Sequence, residues 1–90
     1  MTEERFRLMC CLVRLEAARY DVFATSTMIR QLNSSPLTEK QIHSVCALQG
    51  HVYQMRSICK MVEISIQKTE LGREMLADFN GRMPELSTNL

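Results

Sequence analysis

Residues 31–42 read Gln31-Leu32-Asn33-Ser34-Ser35-Pro36-Leu37-Thr38-Glu39-Lys40-Gln41-Ile42. This stretch stops one helix and starts another. Asn33-Ser34-Ser35 favour a turn, and Pro36 disfavours helical backbone in the residue before it. Thr38 and Gln41 then form a capping box: the Thr38 hydroxyl can accept from the Gln41 amide, and the Gln41 side chain can return to the Thr38 amide. Leu37 before the cap and Ile42 after it read as a hydrophobic staple. A link this short makes the helices on either side antiparallel neighbours.

Upstream of this punctuation, residues 1–35 contain neither Gly nor Pro. Thr2 is a suitable N-cap, and Glu3 and Glu4 meet the positive end of the helix dipole. The spacing predicts a helix over about 3–32. Downstream, a second helix is expected over about 39–68. Gly50 inside it either costs about 1 kcal/mol relative to alanine or permits a close backbone approach. No stretch alternates apolar and polar residues over a strand length, so the fold class is all-α.

Both helices carry seven-residue repeats. In the first, Leu8, Leu15, Val22 and Ile29 take one position, and Cys11, Ala18, Thr25 and Leu32 the other. In the second, Val45, Val52, Cys59 and Ile66 are matched by Leu48, Met55, Val62 and Thr69. In an antiparallel pair, facing residues have numbers of constant sum. Leu32 with Ile42, Ile29 with Val45, Val22 with Val52, Leu15 with Cys59 and Leu8 with Ile66 each sum to 74. Thr25 with Leu48, Ala18 with Met55 and Cys11 with Val62 each sum to 73. The repeats are in register, which predicts an antiparallel helical hairpin packed as a coiled coil.

The first helix has a second apolar stripe, about 200° around from that seam. It consists of Phe6, Cys10, Val13, Ala17, Tyr20 and Ala24, flanked by Met9 and Met28. Arg7, Arg14 and Asp21 form one polar band beside it; Arg5, Glu16, Arg19 and Arg30 form the other. A helix apolar on opposite faces is sandwiched between neighbours. The second helix also gains Ile58, Met61 and Ile64 away from its seam. Beyond residue 71 the chain overshoots the first helix, so a break is expected between Lys68 and Gly72. A short third helix, Arg73–Phe79, should follow and end at Asn80-Gly81. Its Met75 and Phe79 are candidates for a contact surface. Residues 1–80 thus form one helical domain and 81–90 a flexible tail, since Met83-Pro84 cannot continue a helix.

A third helix of this length cannot cover a stripe of about 27 Å. A second copy, burying it and completing a four-helix bundle, is the favoured arrangement over an unlike partner or a three-helix monomer. Partner-binding residues are therefore Phe6, Met9, Cys10, Val13, Ala17, Tyr20, Ala24, Met28, Met75 and Phe79.

Composition narrows the remaining classes. The chain has 90 residues, 11 Lys+Arg against 10 Asp+Glu, and 46% hydrophobic residues. It is not a disordered chain, and it shows no basic block of the kind phosphate binding uses. A nucleic-acid contact through Arg5, Arg19 and Arg30 is the alternative function, with no aromatic stacking platform read near them. The apolar run Met9–Val13 is too short to span a membrane. Glu3 and Glu4 do not resemble a signal peptide, and Thr2 excludes N-myristoylation.

The four cysteines, Cys10, Cys11, Cys46 and Cys59, are read as buried thiols of a reducing, cytoplasmic compartment. His43 and Cys46 lie three apart, but His51 falls elsewhere around the helix, so no metal site is assigned. A phosphotransfer role for His43 or His51, and a reactive thiol at Cys10-Cys11, are the weaker chemical readings. No phosphate loop, His-Glu-x-x-His or Gly-x-Ser-x-Gly motif is present, and no catalytic residue or cofactor is assigned. The expected function is a non-enzymatic protein-interaction module: an assembly subunit, a chaperone or an inhibitor-like helical protein.

Overall fold

The structure, a computed structural model, describes residues 1–82. It consists of α1 (Glu3–Leu32), α2 (Glu39–Ile66) and α3 (Glu70–Arg82), with no strand among the described residues. The body measures 53 × 19 × 17 Å. The α1 amide ladder begins at Thr2, whose Oγ1 accepts from the Arg5 amide at 3.1 Å. The capping box of α2 is closed in both directions: the Gln41 amide donates to Thr38 Oγ1 at 3.2 Å, and the Thr38 amide to Gln41 Oε1 at 2.9 Å.

The two repeats pack against each other. Leu8 and Leu15 share one buried cluster with Cys59 and Ile66; Val22 and Ile29 share another with Val45 and Val52. The reversed order of the pairs makes α1 and α2 antiparallel. All eight of these residues are buried. The seam opens toward the loop, where Leu32, Ile42 and Leu48 remain exposed. At that end Leu37 of the loop packs against the cluster of Val22, Ile29, Val45 and Val52. At the other end α3 adds Leu76 to the core, with Met75, Leu71 and Phe79 packed around it.

The turn between α2 and α3 differs from the expectation. Helix α2 ends at Ile66 and α3 starts at Glu70, three residues earlier than predicted. Thr69 is the reason: its Oγ1 accepts from the Gly72 amide at 3.1 Å, and its carbonyl accepts from the Arg73 amide at 3.0 Å. The Arg73 guanidinium donates to the Gln67 carbonyl at 2.9 Å, satisfying the end of α2. Gly72 is required by this tight junction. A Cβ there would lie inside van der Waals contact of the Ile66 carbonyl oxygen and 2.9 Å from its carbon. Gly50, by contrast, faces open space and allows no close approach.

Helix α3 also runs past Asn80-Gly81 to Arg82, which pairs with Asp78 one turn earlier. Gly81 does not take a positive φ, so it does not supply the left-handed cap that would end the helix. Two residues of the expected tail are therefore helical; residues 83–90, with Met83-Pro84, lie outside the described residues. No described helix is long and apolar enough to cross a membrane.

Candidate functional site

The predicted contact face of α1 is mostly open to solvent. Val13, Tyr20, Phe6 and Met28 are 65%, 64%, 56% and 56% exposed. Met9, Cys10 and Ala17 are exposed as well, and Ala24 is half-buried. Phe6, Met9, Cys10 and Val13, together with Met1 and Arg14, line one shallow apolar concavity. Met9 and Val13 also border a groove whose far wall is Met75, Phe79 and Arg82 of α3. The structure thus gathers the N-terminal part of the face with α3. Ala24 and Met28 sit toward the loop, away from that groove. Met75 and Phe79 are half-buried and belong partly to the core.

Arg19 lies elsewhere than predicted. It is 3% exposed, not part of a solvent band with Arg5, Glu16 and Arg30. Its Nη2 donates to Glu63 Oε1 of α2 at 2.6 Å, and its Nη1 to Asn80 Oδ1 of α3, also at 2.6 Å. The guanidinium lies 5.5 Å from the Phe79 ring centroid, within cation–π reach. One side chain therefore ties all three helices together. The cause is geometric: Arg19 follows Leu8, Leu12 and Leu15 on the edge of the seam that α3 covers. Glu63 is correspondingly half-buried.

With Arg19 inside, the arginine set proposed for nucleic acid reduces to Arg5 and Arg30, near opposite ends of α1. Arg30 does have an aromatic neighbour, contrary to expectation. Tyr53, 74% exposed, lines the same groove between α1 and α2, with Arg56 beside it.

The Thr25 hydroxyl donates to Asp21 Oδ1 at 2.9 Å, and His51 Nε2 lies 3.0 Å from Asp21 Oδ2. The Thr25 hydrogen bond, then that of His51, holds the Asp21 carboxyl below its ordinary range. This pairing occupies His51 away from His43 and Cys46. Among the described residues no group of three His, Cys, Asp or Glu is placed to hold a metal ion.

The cysteines separate into two kinds. Cys59 is buried, and burial pushes its thiol pKa up, with the Arg19 charge opposing. Cys11 is half-buried, while Cys10 and Cys46 are exposed, against the expectation that all four are buried. Cys10 stands out because, among the described residues, no element covers its helix face. A second exposed apolar group, Ile58, Met61 and Ile64, lies on the outer face of α2. Its residues were legible as off-seam in the sequence, but they were not assigned to the site.

The chain matches no known protein family, no curated protein and no solved structure.

Proposed function

We propose that this chain is a non-enzymatic protein-interaction module that self-associates through the exposed face of α1, as an assembly subunit, chaperone or inhibitor-like protein does. The carrying observation is the row Phe6, Val13 and Tyr20, each more than half exposed after α2 and α3 have taken their places. Burying one such side chain is worth about 1.5–3 kcal/mol, so leaving the row in water forgoes several kcal/mol and invites association. A second copy on this face brings together four long helices, α1 and α2 of each chain, with the two shorter α3 helices alongside. The four free thiols agree with a reducing, cytoplasmic setting.

Sedimentation across a wide concentration range tests the reading, combined with thiol labelling. The expected result is a dimer that forms with rising concentration and slows labelling of Cys10 while leaving Cys46 unchanged. A monomer at every concentration, with Cys10 labelled as fast as Cys46, overturns it. The second reading, nucleic-acid contact, draws on the groove of Arg30, Tyr53 and Arg56. Binding to single-stranded oligonucleotides that falls steeply with salt would favour it.

A further inference from the structure

We propose that two copies of this chain pair through α1 in an antiparallel, two-fold symmetric arrangement, with Phe6 against Ala24, Cys10 against Tyr20 and Val13 against Ala17 of the other copy. The proposal rests on reading the α1 face as a self-association surface and deepens it by assigning orientation and register.

The residues of the exposed face alternate spacings of four and three, the same pattern that builds a helix–helix seam. They also alternate in size along the helix: Phe6, Val13 and Tyr20 are the larger, and Cys10, Ala17 and Ala24 the smaller. An isologous interface places residue i against j and j against i. In the register proposed, each facing pair sums to 30. Every larger residue then meets a smaller one, in six layers over about 27 Å. Shifting by one heptad either way leaves part of each row unpaired. A parallel, in-register pair stacks Phe6 on Phe6 and Ala17 on Ala17, large on large and small on small.

The flanking charges discriminate in the same direction. On one edge of the antiparallel pair, Arg7 faces Asp21 of the other copy, and symmetry makes this contact twice. The Asp21 side chain is 38% exposed and keeps free acceptor capacity beside His51 and Thr25. On the other edge Met9 faces Phe23, both exposed apolar residues. At the two-fold axis Arg14 meets Arg14 and Glu16 meets Glu16. Arg14 is exposed, where screening keeps the cost small; Glu16 is half-buried at the edge of the α3 groove, whose lining also carries the cations Arg5 and Arg82. A parallel pair instead sets Glu16 against Asp21 twice and gains no opposite-charge contact. Because the face lies across α1 from the α2 seam, the assembly is a layer in the order α2, α1, α1, α2, and not a square bundle.

Reciprocal charge variants test orientation and register together. V13E places an unpaired carboxylate against Ala17, and A17K an unpaired amine against Val13. Each alone should keep wild-type helix content and weaken dimerisation by more than about tenfold. An equimolar mixture should restore the dimer, because the introduced carboxylate faces the introduced amine in one layer while Val13 still meets Ala17 in its symmetry mate. A wild-type dimer whose variants show no such rescue overturns the antiparallel register but leaves self-association standing. A wild-type monomer at all concentrations removes the underlying reading instead. Tyr20→Cys gives an independent measurement. Mild oxidation should link position 20 of one copy to Cys10 of the other, identified by peptide mapping. A position 20 to position 20 bond, or no intermolecular bond in a wild-type-like dimer, overturns the pairing.

Discussion

Glu63→Ala removes the carboxylate that holds Arg19 and should destabilise the fold well beyond an ordinary surface change. The Arg19 side chain is 3% exposed and that of Glu63 29%, with 2.6 Å between Nη2 and Oε1. A hydrogen bond to a charged group contributes about 1.5–3 kcal/mol, and breaking a deeply buried pair costs about 3–5 kcal/mol. Glu63 is partly open to water, which can enter the vacated space. Asn80 and the Phe79 ring also continue to hold the guanidinium. The lower range therefore applies, about 2 kcal/mol. For a domain of this size that lowers the melting temperature by roughly 8–16 °C. Glu63→Gln keeps an acceptor at Oε1 and should lose about half as much. Glu74→Ala, on the exposed face of α3, should stay within about 0.5 kcal/mol. Far-ultraviolet circular dichroism melts at one fixed protein concentration read all three, since dimerisation would otherwise shift the midpoint. The reasoning fails if Glu63→Ala melts with Glu74→Ala. It also fails if high salt abolishes the Glu63 effect, because a pair this buried is weakly screened.

Two further outcomes follow from local geometry. Gly72→Ala should destabilise by about 1–3 kcal/mol or more, since its Cβ meets the Ile66 backbone, which cannot rotate away. Gly50→Ala should stabilise by up to about 1 kcal/mol, and equal effects of both in thermal melts would discount the close approach at Gly72. The lowered pKa of Asp21 contributes stability that is fully present above the ordinary carboxylate value of about 4 and is lost as pH falls through its lowered value. Asp21→Asn should therefore differ from wild type at neutral pH and converge with it in acid; a constant difference down to the lowest folded pH would show that the Thr25 and His51 contacts do not shift it.

Much of the hairpin was legible because it depends on local chemistry and periodicity. The Thr38–Gln41 box lies within four residues, and the repeats of Leu8–Ile29 and Val45–Ile66 specify which faces meet. The outer stripe of α1 was legible for the same reason, as a second period on the same helix. The cysteines were misread because apolar surroundings in sequence do not distinguish a face covered by another element from one left open: Cys59 is in the seam, Cys10 outside it. The start of α3 was misplaced because Gly72 reads as a helix breaker, while in space it relieves the crowding of two helix ends and Thr69 supplies the cap.

Arg19 marks the boundary between the two kinds of information. Its spacing from Arg5, Glu16 and Arg30 places it on one side of α1, and periodicity alone makes that side polar and wet. Only the return of α3, 61 residues later at Asn80, covers that side and supplies Phe79 and Asn80, while Glu63 comes from α2. The sequence by itself determined which helices form and along which faces α1 and α2 pack, because those depend on neighbours three to seven residues apart. The tertiary structure alone decided which charge is interior, because burial depends on what the rest of the chain brings to that point.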